Sequence, residues 1–426
     1  MVIYCSGIGG IGLSAYAALQ RANGHVVRGS DKSDSALLDD LRGQGIEVFL
    51  DQDGSHVTGD VDLFVYSEAV PPDAPERRKA TDLGIEQQSY FRALGELSEN
   101  YTVIAVCGTH GKSTTTAMIA KAFIDAGKDP SVVVGTKSPD LGGRNWRKGA
   151  SEIFIVEACE YRKSFHYLSP DVAVLTTVDG DHFDAYGSLE DYRQAFVDFF
   201  RLEPEGNPVV LHASDDACKE VVARSGHPGI NADAADLPVV GVPGDIMRQN
   251  ARLALATAKH FGIAEESALR SLARFRGTWR RMEVKGTRDS DGVTVIDDYA
   301  HHPAEIAGSL QGIKEGYPGR RIVVVFQPHT HDRTLKLYDE FLTAFRGVDL
   351  VVMPNVYGAR GESDSAKVDF PRFIADVAAG SATTVVDGGG LEGTLQWLAE
   401  GLKPHDVVVT MGAGDVTSLA GKILAA

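Results

Sequence analysis

The sequence predicts an α/β protein of three domains, each with a mostly parallel sheet: a Rossmann-like N-terminal domain, a central domain with a phosphate loop, and a Rossmann-like C-terminal domain. Three observations carry that prediction. Apolar, β-rich runs alternate with helical patterns along almost all of the 426 residues. Two glycine-rich turns, Gly7–Gly12 and Gly108–Gly111, each follow an apolar run and precede a helical one. The length is far beyond what one hydrophobic core supports, at roughly 150 residues per domain.

In chain order, the candidate strands are Val2–Ser6, His25–Gly29, Val61–Tyr66, Thr102–Cys107, Ile153–Ala158, Val172–Val178, Val293–Asp297, Arg321–Gln327, Leu350–Pro354, Thr383–Val386 and Asp406–Met411. Candidate helices between them include Ser113–Ala126, Gln249–Phe261, Pro303–Glu315 and Leu335–Phe345. Three blocks follow: 1–98, 99–283 and 284–426. The stretch Arg224–Pro243, rich in Gly, Pro, Ala and Asp, reads as a loop inside the second block. No internal repeat stands out.

Composition narrows the function classes. Hydrophobic residues make up 43% and charged residues 24%, as in ordinary globular proteins. The formal net charge of -17 argues against broad nucleic-acid or anionic-membrane binding. Local lysines, arginines and helix N-termini can still bind an anionic substrate. The four cysteines, Cys5, Cys107, Cys159 and Cys218, form no CxxC pair, so a disulfide framework or zinc site is not expected. With no apolar run near the ~20 residues of a transmembrane helix and no basic-then-apolar leader, a cytoplasmic protein is expected, a monomer or homodimer.

The strongest motif is Gly108-Thr109-His110-Gly111-Lys112-Ser113-Thr114. Its glycines let backbone N–H groups converge on an anion, Lys112 adds positive charge for β/γ-phosphates, and the Ser113 hydroxyl can hold Mg²⁺. The strict Walker pattern places a glycine where Val106 stands, so this is the shorter GTxGK[ST]T form. The run Gly7-Ile8-Gly9-Gly10-Ile11-Gly12 fits GxGxxG, with Asp31 after the second strand. It would suit NAD(H), the diphosphate of another nucleotide, or simply a tight turn.

Three further clusters stand at strand ends. Glu157 ends one strand with Glu160 just beyond it, and Asp179, Asp181, His182 and Asp184 follow another. Carboxylates there, with one imidazole, suit Mg²⁺ or Mn²⁺, though each alone reads as a solvated loop acid. Asp298 and His301 lie in Asp297-Asp-Tyr-Ala-His-His-Pro303, where Asp298 could also be a helix cap. His329, His331 and Arg333 lie in Gln327-Pro-His-Thr-His-Asp-Arg333 and suit a carboxylate ligand, or a polar loop.

Taken in order, GIGGIG, GTHGKST, VEACEYRKSF, DGDHFD, GTWRRME, DDYAHHPAEI and FQPHTHDRT resemble the Mur ligase family across nearly the whole chain. The resemblance implies a UDP-binding first domain, an ATPase second domain and an amino-acid-binding third. It implies ATP and Mg²⁺ as cofactors, UDP-N-acetylmuramate and L-alanine as substrates, and a place in peptidoglycan precursor synthesis. By position, Gly9, Gly10, Gly12, Ser30, Asp31 and Ser67 would hold the UDP part. Gly108–Thr114 would cradle the phosphates. Ser113, Glu157 and His182 would hold metal. Asn250 would meet adenine, Arg281 the ATP phosphates, and Asp298 and His301 the ribose. Tyr299, His329 and Arg333 would surround the amino acid.

The implied chemistry is amide formation through an acyl phosphate, with Lys112, Glu157, His182 and Arg281 as its catalytic set. The chain departs from the family pattern at three places. Ser113 replaces the usual Thr, the GxHNxxN segment reads Gly244-Asp-Ile-Met-Arg-Gln-Asn250, and Thr330 replaces an Arg. The alternatives are a ligase adding a tripeptide, Gly or Ser, a nucleotide-binding homologue without catalysis, and an NAD-dependent dehydrogenase. The last leaves GTHGKST without a role.

Overall fold

The computed structural model describes residues 1–180, 185–202, 204–358 and 367–426. By contacts the chain divides into two compact units. The first comprises Met1–Val240 with Gln249–Arg276, and the second Gly241–Arg248 with Gly277–Ala426. Among the described residues three sheets make up the α/β architecture, two in the first unit and one in the second.

The first sheet is all parallel, in the spatial order Glu47–Phe49, Val26–Ser30, Val2–Ser6, Leu63–Tyr66, Glu86–Ser89. Chain order reverses at Val2–Ser6, so the crevice beyond its carboxyl end is the natural ligand position. The glycine turn stands there. Helix Ile11–Ala22 follows it and buries its face from Leu13 to Gln20.

The second sheet runs Gly229–Asn231, Val209–Leu211, Val172–Leu175, Thr102–Cys107, Ile153–Glu157, Ser131–Ser138, Arg144–Arg147. Only its last pair is antiparallel. Order reverses at Thr102–Cys107, whose last five residues are buried, as expected of a parallel strand covered on both faces. Helix Lys112–Asp125 starts where Gly111 adopts φ +84° and ends before Gly127 at φ +73°. One apolar core cluster unites both sheets of this unit, from Ile3 and Leu13 to Phe154, Phe196 and Val209.

The third sheet runs Glu283–Thr287, Thr294–Asp298, Val407–Met411, Ile322–Phe326, Leu350–Met353, Thr384–Asp387, parallel except for its first pair. Its central strands are continuous valine-rich runs such as Ile322–Phe326, fully buried. Helix Pro303–Gly316 carries Pro303 in its first turn and a capping box between His302 and Glu305.

Strands Val2–Ser6 and Thr102–Cys107 match the sequence reading residue for residue. The expected helix Leu335–Phe345 is instead two short pieces, His331–Lys336 and Tyr338–Phe341, divided at Leu337 with φ -107° and ψ 21°. Within Arg224–Pro243 the structure adds a short strand, Gly229–Asn231, and one turn of 3-10 helix, Ala232–Ala234. No helix among the described residues is long and apolar enough to cross a membrane.

Candidate active site

The phosphate loop is tied to the neighbouring strand end. Thr109 N donates to Thr177 O at 2.8 Å, and His110 N to Thr177 Oγ1 at 3.2 Å. Gly108, at φ +131°, leaves no room for a side chain, because a Cβ there would collide with Thr176 Oγ1. Lys112 Nζ donates to Gly108 O at 2.6 Å, to Thr109 O at 3.0 Å and to the Glu160 carboxylate at 2.9 Å. Three acceptors thus meet the three N–H groups of one ammonium. The Glu160 side chain is fully buried, at 0% exposure. Burial pulls the Lys112 pKa down, but the negative field of Glu160 and its neighbours outweighs it, and the net direction is up.

Beside the lysine, Ser113 Oγ donates to Glu157 Oε1 at 2.9 Å, and Gly135 N donates to Glu157 Oε2 at 2.6 Å. Register explains the meeting, since Val106, just before the loop, pairs with Glu157 on the adjacent strand. Both side chains are half-buried oxygen donors, which suits a hard cation such as Mg²⁺. Among the described residues no group of three His, Cys, Asp or Glu stands close enough to hold an ion. That is compatible with Mg²⁺, which commonly keeps several waters and takes one or two carboxylates. His182, the other expected ligand, lies outside the described residues, as do Asp181 and Asp184. Thr114 is buried in the helix that opens at Lys112. Asn250, expected at adenine, sits against the loop itself. A Cβ on Gly111 would come within 2.5 Å of Asn250 Oδ1.

At the first glycine turn, Gly7 N and Ile8 N donate to Ser30 O at 2.8 and 2.9 Å. Gly9 N donates to Asp31 Oδ2 at 2.8 Å, so the acid closes the turn. Gly10 is the exposed N-cap of the helix. Gly12 is small because the Tyr90 ring fills its side-chain space at 2.7 Å. The Ser30 hydroxyl is fully buried and donates to Glu76 at 2.8 Å. Tyr4 and Ser6 donate to the same carboxylate. Ser67 is half-buried, with its Cβ close above Gly7. Gly12 and Ser30 therefore shape the floor of this crevice, while Gly9, Gly10, Asp31 and Ser67 form its rim.

In the second unit, Asp298 ends its strand with both oxygens engaged. Met282 N donates to Oδ2 at 2.8 Å, Ala300 N to Oδ1 at 2.7 Å, and Ser309 Oγ to Oδ2 at 3.2 Å. Burial pushes its carboxyl up to about 6, against the pull of Arg281. His301 is pushed down to about 4, chiefly by burial; Arg333 and Arg281 add to this and Glu305 opposes it. A ring series runs across the carboxyl ends of the strands. Tyr299 meets His301 at 5.3 Å, His301 meets His329 at 6.1 Å, and His329 stacks on Tyr357 at 5.4 Å. Arg281 is half-exposed, 3.7 Å from Glu305 and 5.3 Å from the Tyr299 ring. Tyr299, His301, His329, Arg281 and Arg333 thus share one end of one sheet.

Family models match along the chain: the Mur ligase family catalytic domain at residues 2–102, the Mur ligase middle domain at 106–236, and the Mur ligase glutamate ligase domain at 280–414. The UDP-N-acetylmuramate–L-alanine ligase of Clostridium novyi (strain NT) is 33% identical, covering 97% of this chain and 95% of its own. The chain belongs to the Mur ligase family. That of Lachnospira eligens is 34% identical over 99% of this chain and 97% of its own. The crystal structure of the Thermotoga maritima UDP-N-acetylmuramate–alanine ligase superposes with a TM-score of 0.81 at 29% identity, covering 100% of this chain and 98% of that one. A murein peptide ligase from Psychrobacter arcticus shares the fold, with a TM-score of 0.70 at 22% identity.

Glu160, read from the sequence as a possible metal carboxylate, instead pairs with Lys112. Two acidic groups of this Mur ligase escaped the sequence reading of the site: Glu76 beneath the glycine turn and Asp297 beside Arg280. Asp297 lies inside a quoted motif, so adjacency to Asp298 was the available signal. For Glu76, in the helix Pro75–Asp82, no local signal existed.

Proposed function

We propose that this chain is an ATP-dependent ligase that joins L-alanine to the carboxylate of UDP-N-acetylmuramate. The similarity to UDP-N-acetylmuramate–L-alanine ligases over 97% and 99% of the chain carries this reading. The oxygen pair Ser113–Glu157 beside Lys112 supports it independently. In the reaction, a muramyl carboxylate oxygen attacks the γ-phosphorus of ATP, the bond to the bridging oxygen breaks, and ADP leaves. The neutral amine of L-alanine then attacks the acyl carbon, inorganic phosphate leaves, and the amine loses a proton.

Two anions meet in the first step, so positive charge is what the protein must supply. Lys112 would exchange a loop carbonyl for a phosphate oxygen, and Arg281 would serve the ATP phosphates, as the family resemblance implies. Ser113 and Glu157, with His182, would hold Mg²⁺, which supplies charge neutralisation at the β/γ-phosphates when bound. The loop Gly108–Thr114 would cradle the phosphates, with Asn250 backing it, and Asp298 and His301 would serve the ribose side. Gly9, Gly10, Gly12, Ser30, Asp31 and Ser67 would form the UDP site, directly or as its floor. Tyr299, His329 and Arg333 would receive the amino acid. His301 is neutral at pH 7 and adds no charge there. Domain limits at 1–98, 99–283 and 284–426 and a cytoplasmic location belong to the same proposal.

The test offers ATP, Mg²⁺ and UDP-N-acetylmuramate with L-Ala, Gly, L-Ser or a tripeptide, and measures ADP release and product mass. L-Ala gives the fastest turnover and a product heavier by one alanine residue. Turnover with the tripeptide alone would replace the amine assignment. No ADP release with any amine would overturn the reading.

A further inference from the structure

We propose that Arg280, clamped by Asp297, is the positioning residue that aims Arg281. The inference rests on the reading above, in which Arg281 meets the ATP phosphates.

Two non-glycine residues with left-handed backbone flank Arg281. Arg280 has φ +55° and Met282 has φ +52°. Neither carries the short polar side chain that tolerates this region, so the fold must hold both there. The holders are two consecutive acids at the end of the strand Thr294–Asp298. Asp297 takes the side chain of residue 280, with Arg280 Nε donating to Asp297 Oδ2 at 3.0 Å. Asp298 takes the backbone of residue 282, with Met282 N donating to Oδ2 at 2.8 Å. Arg281 stands between the two anchors.

The clamp on Arg280 is buried. Its side chain is 5% exposed and that of Asp297 is 0% exposed. Arg280 Nη2 donates to Gly412 O, on the loop after the neighbouring strand. Arg280 N donates to Glu283 Oε2 at 3.0 Å, and Arg280 O accepts from Tyr299 N at 2.6 Å. Asp297 also accepts from Thr410 and Thr417 hydroxyls, each at 2.7 Å. The Tyr299 ring lies 5.1 Å from the Arg280 guanidinium and 5.3 Å from that of Arg281, so both cations neighbour one ring. Arg281 is held far more loosely. Its side chain is 31% exposed, and Glu305 stands 3.7 Å away. One arginine of the pair is therefore committed to structure, and the adjacent one stands on a turn held at both ends, free to meet a ligand.

The experiment compares Arg280→Gln, Arg281→Ala and the double variant of the full chain. ADP release is measured well below each unfolding midpoint, with KM for UDP-N-acetylmuramate as the control. Arg280→Gln lowers kcat at least ~10-fold with that KM unchanged. The double variant is no slower than Arg281→Ala, because a residue acting through another adds nothing once the other is gone. A purely structural Arg280 instead multiplies the two losses, which would overturn the inference, as would wild-type kcat in Arg280→Gln. Should Arg280→Gln not fold, Asp297→Asn keeps the shape and loosens the same clamp, and the same non-additivity is read. Absence of ADP release in the wild-type chain defeats the underlying function and not the clamp. Chemical shifts of the Arg281 side chain then report whether its orientation moves in Arg280→Gln.

Discussion

Replacing Lys112 with methionine tests the phosphate loop and the acid beneath it together. The Lys112 side chain is 14% exposed and that of Glu160 0% exposed, with the charged groups 2.9 Å apart. Removing one partner of a buried pair typically costs 3–5 kcal/mol, because the remaining charge loses its compensation. The residual exposure of Lys112 places this case at the low end, about 3 kcal/mol. At ~1.4 kcal/mol per factor of ten, that accelerates local opening by about 100-fold. The assay is amide hydrogen exchange in the strand Thr102–Cys107, alongside ADP release. Lys112→Met loses turnover and most of that protection. Glu160→Gln added to it restores protection, since no buried charge is left behind, but not turnover. Lys112→Met with wild-type exchange rates would refute the reasoning, and so would a second substitution that deepens the loss.

Further outcomes follow from the same geometry. Gly111→Ala forces a Cβ into a φ of +84° and to within 2.5 Å of Asn250 Oδ1. It should cost about 1–2 kcal/mol for the backbone alone and weaken ATP binding, which calorimetry would read; unchanged affinity would show that the loop does not carry the phosphates. Asp298 and His301 make opposed contributions to stability as pH changes. Asp298, raised from 3.8 to about 6, contributes stability that is full below pH 3.8 and lost by about pH 6. His301, lowered from 6.5 to about 4, contributes stability that is full above pH 6.5 and lost as pH falls to about 4. Each is worth about 3 kcal/mol at ~1.4 kcal/mol per pH unit, so across pH 4–6 they nearly cancel. His301→Gln should therefore become more stable on acidification over that window, and Asp298→Asn less. Denaturant midpoints for exchange in the strand Thr294–Asp298 check the signs, and variants that parallel the wild type would refute them.

How much was legible in the sequence depended on where the signal lay. Val2–Ser6 and Thr102–Cys107 are apolar runs stopped by glycine, so pattern and punctuation agree on their limits. Glu86–Ser89 and Arg144–Arg147 are short strands of polar composition, and only their sheet neighbours make them strands. The Leu335–Phe345 pattern was helical in spacing, but Leu337 leaves helical geometry. For the candidate site, types and spacing singled out the loop, Glu157 and the Asp298–His301 segment, which the structure places at the carboxyl ends of their sheets. They did not distinguish contact from support. Ser30 and Gly12 look like ligand residues in a motif, yet their space is taken by Glu76 and Tyr90.

That distinction has a common physical source. Two cations beside the candidate site residues each stand on a fully buried acid: Lys112 on Glu160 and Arg280 on Asp297. In sequence, a buried acid and a solvated one are the same letter, and 59 acidic residues offer ample camouflage. The structural logic is nonetheless general. A site for an anion needs cations or N–H groups held in place before the ligand arrives. Those groups repel one another and are costly to bury alone. A carboxylate behind them offsets that penalty and fixes their direction. The same arrangement means that a cation cannot be deleted without stranding its acid. Loss of activity in a single lysine or arginine variant therefore mixes chemistry with stability, and only the paired substitution separates them.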